Sequence, residues 1–350
     1  MSDDKTINYP DENIENLYLT IYIIGYMEQG ESIIITVDSL KPNDRLYYVG
    51  VIDSYCKKDV NITTEILKSI LAEKNEKNKK LDLLCWTHPH DDHTKGMDDI
   101  IKNYCNEETL IAMPNVFYMN KNLSSETQKV IECIKEMNYG KHVQNRGRLQ
   151  TLSGESQLQI LNIGKSEDIQ QMTIDFFGPY DNISLMQSED NIDWNKFSTS
   201  LLISINGVNI FLGGDVPNMS IKSFKNFPKY LNFVKIPHHT SSTSSILIEK
   251  LNGMGQADIA CTTMYSNKLP ESELLLSYID ITKEVFSTTS TIIDSKVLSN
   301  NNNNYEKYKN VHIKSLDENE YGILKIKIDV INSEYTPYIA GNATRVSRSI

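Results

Sequence analysis

The sequence has few cysteines, and no two of them form a Cys-x-x-Cys pair. Five cysteines stand singly along the 350 residues: Cys56, Cys85, Cys105, Cys133 and Cys261. This odd and scattered set excludes a disulfide framework and a structural zinc knuckle built from cysteine pairs. It predicts reduced thiols, as in a protein of the cytoplasm.

Long apolar runs are also missing. The segment Tyr18–Ile24 is apolar and β-branched, but a membrane helix requires roughly 18–20 such residues. The first residues, Met1–Lys5, form neither a basic region nor an apolar one, so no signal peptide is expected. We therefore predict a soluble cytoplasmic protein without a membrane partner.

Positive charge is scarce. The sequence has 35 lysines and arginines but 46 acidic residues, and its net charge is −11. An acidic surface disfavours tight nonspecific binding to nucleic acid, which needs basic faces. It still allows a local basic groove around a site. The hydrophobic share of 39% is sufficient for a large core.

Strand and helix signals alternate along most of the chain, which predicts one α/β (α+β) domain. We expect this domain to span residues 17–335, after an N-terminal extension of residues 1–16 and before a frayed tail of residues 336–350. A flexible asparagine-rich loop is expected near residues 299–305. The polar stretch 141–168 is interpreted as loops and a short hairpin.

The motif His88-x-His90-x-Asp92-His93 follows the apolar run Leu81–Trp86, which is predicted to be a buried strand. A strand end is a rigid place from which several side chains can be aimed at one point. Imidazole and carboxylate together suit zinc, manganese or iron. The predicted metal ligands are therefore His88, His90, Asp92 and His93. Asp91 is expected to face solvent, or to contact a metal ligand without binding the metal itself.

Two further strand ends carry the same kind of residue. Asp215 follows Gly213-Gly214, where a carboxylate can bridge two cations. The pair His238-His239 follows a strand and Pro237, and one of the two is expected to complete the metal site. The residues do not separate them, and the second is a candidate general acid or substrate contact.

A run of hydroxyl residues, Ser241 to Ser245, comes after the histidine pair and Thr240. Such hydroxyls can donate to phosphate oxygens or cap the next helix, and capping is the commoner explanation. The basic side chains of Lys95, Lys141, Arg146 and Arg148 can contact phosphates, or they can be exposed to solvent without a specific partner.

Taken in order, these motifs resemble the metallo-β-lactamase fold superfamily. Within it, the chain is most similar to the soluble hydrolase domain of ComEC-type competence (DNA-uptake) proteins. The matching segments run in order along most of the chain: Glu28-Gln29-Gly30-Glu31-Ser32, Ile52-Asp53-Ser54-Tyr55, Thr87 to His93, Asn195-Lys196-Phe197-Ser198, Gly214-Asp215 and Lys235-Ile236-Pro237-His238-His239-Thr240-Ser241.

The chain departs from that pattern at several points. Tyr55, Lys95 and Thr240 stand where the family has glycines. No histidine lies just before Asp215, where lactamases and glyoxalases supply a third imidazole, and the competence branch commonly lacks it as well. The membrane helices of an uptake channel are absent, so the resemblance implies a hydrolase and not a channel.

The resemblance implies a four-layer αββα sandwich with two divalent metal ions at its edge, zinc or alternatively manganese. His88, His90 and one of the two neighbours His238 and His239 would hold the first ion. Asp92, His93 and a bridging Asp215 would hold the second. Asp92, Asp215 and His239 are the expected catalytic residues. Asp53 would orient a ligand histidine, and the residues expected to contact substrate are Lys95, Asn195, Ser198 and Ser241.

The implied function is a metal-dependent hydrolase, foremost a phosphodiesterase or nuclease that acts on nucleic acid or a nucleotide. Degradation of foreign DNA is one hypothesis for its role. The alternatives are a hydrolase of small esters, thioesters, lactones or lactams, and a metal-stabilised binding module without catalysis. No protein partner is indicated by the residues.

Overall fold

The structure is a computed structural model, and it describes most of the 350 residues. Lys141, His142, Arg146, His312 and the asparagine run 301–304 lie outside the described residues. The described ranges are 5–10, 14–40, 44–72, 80–116, 123–139, 148–165, 167–180, 192–254, 257–266, 268–290, 297–300, 306–307 and 316–348.

Ten of the described strands form one sheet. Their bounds are β1 (Thr6–Tyr9), β8 (Glu155–Ile163), β9 (Gln170–Phe177), β10 (Ser200–Ile205), β11 (Val208–Leu212), β12 (Leu231–Lys235), β13 (Ala257–Thr262), β14 (Thr282–Ser287), β15 (Val297–Asn300) and β19 (Thr344–Arg348). Across the sheet they lie in the order β1-β8-β9-β10-β11-β12-β13-β14-β19-β15. The run from β11 to β14 is parallel.

Nine strands form a second sheet. They are β2 (Tyr18–Tyr26), β3 (Glu31–Ser39), β4 (Arg45–Ile52), β5 (Leu83–Cys85), β6 (Leu110–Pro114), β7 (Arg148–Leu152), β16 (Glu306–Lys307), β17 (Tyr321–Asp329) and β18 (Glu334–Gly341). Their order is β16-β18-β17-β2-β3-β4-β5-β6-β7. Both sheets therefore mix parallel and antiparallel pairs.

The two sheets pack face to face, and helices cover their outer faces. The helices are α1 (Ile62–Ala72), α2 (Asp91–Thr94), α3 (Met97–Tyr104), α4 (Ser125–Tyr139), α5 (Asn218–Lys222), α6 (Ile246–Met254) and α7 (Ser272–Ile281). One hydrophobic core lies between the two sheets. A second lies between one sheet and its helices, and a third lies between the other sheet and its helices. This arrangement confirms the predicted α+β sandwich and is compatible with the metallo-β-lactamase fold.

Strand β2 shows why these segments are apolar along their whole length. Leu19, Ile21 and Ile23 face the core between the sheets, whereas Ile24 and Tyr26 face the helices. Because successive side chains of a strand point to opposite faces, a strand covered on both sides needs apolar residues at nearly every position.

A hairpin forms at Asn206-Gly207, and Asn-Gly between two apolar runs is a strong sequence signal for such a turn. Ile205 pairs with Val208 across the turn, and the two central residues have φ of 49° and 80°. Positive φ at both positions is the geometry that Asn-Gly favours in a two-residue hairpin. The hairpin carries β11 back through the sheet toward Asp215.

Three peripheral segments differ from the sequence-based expectation. Residues 6–9 of the expected extension pair as β1 with β8, and most of the expected tail forms β18 and β19. The expected hairpin within 141–168 was wrong, because β7 and β8 lie in different sheets. These strands are polar since they lie at or near sheet edges, where one face meets solvent, and they lack a clear apolar signal.

The carboxyl ends of β5, β11 and β12 bring the predicted site together at one edge between the sheets. Strands of a parallel α/β arrangement present their sites at these ends. No helix within the described ranges is long and apolar enough to cross a membrane.

Candidate metal centre

The first part of the centre follows β5. Trp86 is fully buried, and its indole Nε1 donates to Thr94 Oγ1 at 3.1 Å. This bond ties the strand end to helix α2, which carries Asp92 and His93. The loop between β5 and α2 contains His88 and His90. The Trp86–Thr94 hydrogen bond therefore fixes both ends of the segment that carries all four predicted ligands.

Asp215 is positioned by a tight turn after β11. Gly214 has φ of 52°, and a Cβ there would lie 2.6 Å from the carbonyl oxygen of Thr199. Only glycine fits such a place. Ser198, a predicted substrate contact, instead holds this turn, because its Oγ accepts the backbone N–H of Asp215 at 2.8 Å.

The turn after β12 has an unusual backbone. His238, His239 and Thr240 have φ of 48°, 49° and 65°, and left-handed conformations cost non-glycine residues about 1–3 kcal/mol each. The backbone N–H of His238 donates to the carbonyl oxygen of Gly214 at 2.8 Å, which holds the turn against the Asp215 loop. The left-handed φ of Thr240 is one that glycine adopts without strain.

Two groups of potential ligands share Asp215, and a third group in the described residues consists of Glu31, Asp53 and His93. In each group the ligand atoms all lie within 4.8 Å of one another. The first, named the inner group, consists of Asp92, His93, Asp215 and His239, and all four residues are buried. The second, named the outer group, consists of His88, His90 and Asp215, of which His90 is only partly buried.

The inner group corrects the expected division of the ligands. His239 Nε2 lies 3.2 Å from Asp92 Oδ2, so His239 belongs with Asp92 and His93 and not with His88 and His90. His238 belongs to neither group; its Nε2 lies 3.8 Å from Asp215 Oδ2. The left-handed turn separates the neighbours, leaving His239 buried and the His238 side chain 18% exposed.

Asp53 orients two of the histidines. His93 Nδ1 lies 2.7 Å from Asp53 Oδ2, and a carboxylate can only accept, so Nδ1 carries a proton and Nε2 is the nitrogen that faces the inner group. Thr87 Oγ1 donates to the same carboxylate at 2.7 Å and lies 3.0 Å from His88 Nδ1. The threonine oxygen therefore accepts from His88, whose Nε2 faces the outer group.

Burial and charge set the protonation of these groups in opposite directions. Burial alone would raise the pKa of Asp215, but His93, His239 and His238 outweigh it and hold that pKa well below its usual range. Burial alone would lower the pKa of His93, yet the carboxylates of Asp215 and Asp92 raise it well above the ordinary value. Burial lowers the pKa of His88.

The donor set fits divalent cations. His93 Nε2 and Asp215 Oδ1 are buried and lie 3.4 Å apart as an ion pair, without the geometry of a hydrogen bond, and a bound cation would satisfy both atoms. His88 Nε2 and His90 Nδ1 lie 3.2 Å apart with Asp215 beside them. Imidazole nitrogens and carboxylate oxygens in these numbers suit zinc or manganese.

His238 and Asn195 lie beside this centre. Asn195 Nδ2 is 3.1 Å from His238 Nε2, and the Thr243 hydroxyl is 2.6 Å from His238 Nδ1. The side-chain oxygen Oδ1 of Asn195 is buried without a hydrogen-bond partner among the described residues. Both side chains can therefore face a bound molecule at the edge of the centre.

The remaining predicted residues lie away from the two groups. Lys95 Nζ lies 5.8 Å from the centre of the Tyr55 ring. Ser241 Oγ accepts the backbone N–H of Thr243 at 3.3 Å, which is the helix-capping alternative. Asp91 accepts a hydrogen bond from Ser124, as expected for a residue turned away from the ligands.

Sequence reasoning missed a set of buried polar residues behind the ligands: Glu31, Thr87, Lys235 and Thr263. Lys235 ends an otherwise apolar strand, and a charged residue at such a position could have indicated a buried polar contact. Glu31, Thr87 and Lys235 each stand in a segment quoted for the resemblance, but nothing in those segments marks them as contacts of a ligand. Thr263 carries no signal, because nothing local marks a threonine that contacts a histidine.

The fold and the two ligand groups define an α+β sandwich protein with a candidate centre for divalent cations. No family model matches the chain. Its curated relatives include the exodeoxyribonuclease WalJ of Streptococcus pneumoniae, from strain D39 and from strain R6. Each is 32% identical over 87 residues, which cover 23% of this chain and 32% of the relative. The chain thus spans about a third of the length of these relatives.

Proposed function

We propose that this protein is a metal-dependent phosphodiesterase that cleaves nucleic acid at a centre of two divalent cations, zinc or alternatively manganese. The observation that carries the proposal is that Asp215 belongs to both ligand groups, as a carboxylate between two adjacent ions would. Paired ions clamp the attacking and leaving oxygens of a phosphodiester. The similarity to an exodeoxyribonuclease supports nucleic acid as the substrate class.

The ions, when bound, supply Lewis-acid stabilisation and lower the pKa of a water nucleophile toward about 7. The protein's part is to hold them. Asp92, His93 and His239 provide the inner ligands, while His88 and His90 provide the outer ones. Asp53 holds the ligand nitrogens of His93 and His88 toward the centre through the bonds described above, and such partners are as important as the ligands themselves.

His238 is the proposed proton donor. Its ring lies at the edge of the centre, Nε2 faces Asp215 at 3.8 Å, and Thr243 holds Nδ1. Nε2 accepts from the Asn195 amide here, so the ring would first take up a proton at Nε2, releasing that bond, and would then transfer the proton to the leaving oxygen of the scissile bond. Asn195, whose amide reaches the same nitrogen, would position the adjoining part of the substrate.

We also propose that the protein acts in the cytoplasm and belongs with the soluble hydrolase domains of ComEC-type proteins. The five free cysteines suit a reducing compartment. The ordered family segments, including Glu31 and the Asp53 strand end, support the ComEC-type placement.

A cleavage panel tests the function. Purified protein with Mn²⁺ or Zn²⁺ is incubated with single-stranded DNA, duplex DNA, RNA and bis-p-nitrophenyl phosphate. We expect cleavage of at least one phosphodiester. Asp215→Ala should reduce the rate about 10³-fold or more, because several kcal/mol of charge stabilisation are lost with the shared ligand.

Asp91→Asn is the matched control, since Asp91 lies beside Asp92 in the chain but outside both ligand groups. It should cleave like the unmodified protein. Equal rates for the unmodified protein and Asp215→Ala on every phosphodiester would refute the proposal. A thioester and a lactone substrate complete the panel, and turnover of these alone would assign the protein to small-molecule hydrolysis.

A further inference from the structure

A buried ion pair lies behind His239 and spans the two sheets. Lys235, at the end of β12, is fully buried, and its Nζ lies 2.7 Å from Glu31 Oε2 at the start of β3. The same ammonium donates to the carbonyl oxygen of Ile236 at 3.1 Å. Buried charges are rare unless they are paired and hydrogen-bonded, so this pair calls for a role.

The pair continues toward the centre through a threonine. Thr263 follows β13, is fully buried, and donates its hydroxyl to Glu31 Oε2. Its oxygen lies 2.9 Å from His239 Nδ1. Because a hydroxyl has a single hydrogen and that hydrogen is given to the carboxylate, the threonine oxygen can only accept from His239.

The direction of these bonds decides which nitrogen of His239 a cation can bind. Its Nδ1 must carry the proton that Thr263 accepts, so Nε2 is the nitrogen left for a cation. In the metal-free protein Nε2 lies 3.2 Å from Asp92 Oδ2, and because a carboxylate can only accept, Nε2 carries a proton there that a cation would displace. Direct contact with Glu31 is too long for a hydrogen bond, since His239 Nδ1 lies 3.6 Å from Glu31 Oε2. The threonine is therefore the link between the ion pair and the ligand.

We propose that Lys235, Glu31 and Thr263 are positioning residues that hold His239 as its Nδ1–H tautomer and keep Nε2 available to a cation of the inner group. The ion pair also joins β3 of one sheet to β12 of the other, and the inner group needs ligands from both sheets. It thereby sets the separation of His239 from Asp92 and His93. The inference concerns cation binding within the proposed function, but its test does not depend on catalysis.

Thr263→Val removes the hydroxyl and nearly preserves the shape. His239 then loses its acceptor on Nδ1, and its proton is expected to move to Nε2, where Asp92 Oδ2 lies 3.2 Å away. Histidine ¹⁵N NMR of the metal-free protein at alkaline pH reports the tautomer directly. Titration with Co²⁺ should show the tighter binding event weakened about 10- to 100-fold, as for other partners of metal-ligating histidines.

Thr263→Ser restores a hydroxyl and should recover both the tautomer and the affinity. Thr109→Val is the matched control, because Thr109 is also a fully buried threonine, whose hydroxyl donates to the carbonyl oxygen of Leu81 at 2.8 Å. Its loss should leave His239 and Co²⁺ binding unchanged.

A double variant, Glu31→Leu with Lys235→Met, tests the ion pair without leaving a buried charge. Replacement of a buried pair by apolar residues of similar volume is often neutral for folding. Without the carboxylate, Thr263 is free to donate to His239 Nδ1, and the proton should again move to Nε2 with the same loss of affinity.

Two results would overturn the inference. One is the same distribution of the proton between Nδ1 and Nε2 of His239 in Thr263→Val as in the unmodified metal-free protein at alkaline pH. The other is Co²⁺ affinity in both Thr263→Val and the double variant equal to that of the unmodified protein. Absence of phosphodiester cleavage would refute the proposed function alone, because the tautomer is read without substrate and without metal.

Discussion

The inner and outer ligand groups differ in how completely the protein surrounds them. The inner group has four buried ligands, and both of its histidines have Nδ1 held by a buried network, through Asp53 for His93 and through Thr263 for His239. The outer group has three ligands. His88 is held through Thr87, but His90 is partly exposed and its Nε2 has no partner among the described residues.

This difference resembles the contrast between closed and open metal sites. A site with all positions filled by oriented protein ligands binds tightly, whereas one with fewer ligands keeps positions for water or substrate. Under the proposed function, the inner group would retain a cation and the outer group would expose one to substrate. Asp215 couples the two because both share its carboxylate.

The comparison predicts unequal loss of cations, and this is the largest effect we expect. His93→Ala should weaken the tighter Co²⁺ binding event by more than about 100-fold, because even a lost partner of a ligand costs 10- to 100-fold. His90→Ala should weaken only the looser event. Calorimetric titration of both variants measures this, and equal effects on the tighter event would remove the distinction between the groups.

A second, smaller effect concerns pH. The raised pKa of His93 in the metal-free fold means that its proton stabilises that fold fully below the ordinary histidine pKa of about 6.5. This contribution is lost as pH rises through the higher folded pKa. A cation must displace the same proton, so stabilisation by added Mn²⁺ should increase as pH rises toward that higher folded pKa and level off above it.

Thermal unfolding with Mn²⁺ and with EDTA, compared across this pH range, checks the expectation. His90→Ala serves as the control, because it leaves His93 and its carboxylates in place and should retain the same trend. A cation-induced shift in Tm that does not depend on pH would contradict the role given to His93.

The smallest effect is expected outside both groups, at Lys95. Its half-buried ammonium lies over the buried ring of Tyr55, and such a contact contributes about 0.5–2 kcal/mol. Lys95→Ala should lower stability by about that amount, leave Co²⁺ binding unchanged, and alter cleavage less than about threefold. A rise in KM of about tenfold for single-stranded DNA, with kcat unchanged, would instead show that Lys95 contacts the substrate.

Local patterns predicted much of the fold. The apolar strands β2, β4 and β12 and the Asn206-Gly207 hairpin were readable, because burial on both faces and turn geometry leave short-range signals. The segment containing β7 and β8 was not. Its two strands join different sheets, and the local sequence does not indicate which sheet a strand will join.

The sequence by itself determined the chemistry of the centre. It placed His88, His90, Asp92, His93 and Asp215 at strand ends, and donor type and spacing are properties of the chain that survive any detail of packing. Only the tertiary structure decided that His239, and not His238, joins Asp92. It likewise placed Glu31 against Thr263, 232 residues away. Both depend on how two sheets pack against each other, and contacts of such sequence separation follow from the complete fold alone.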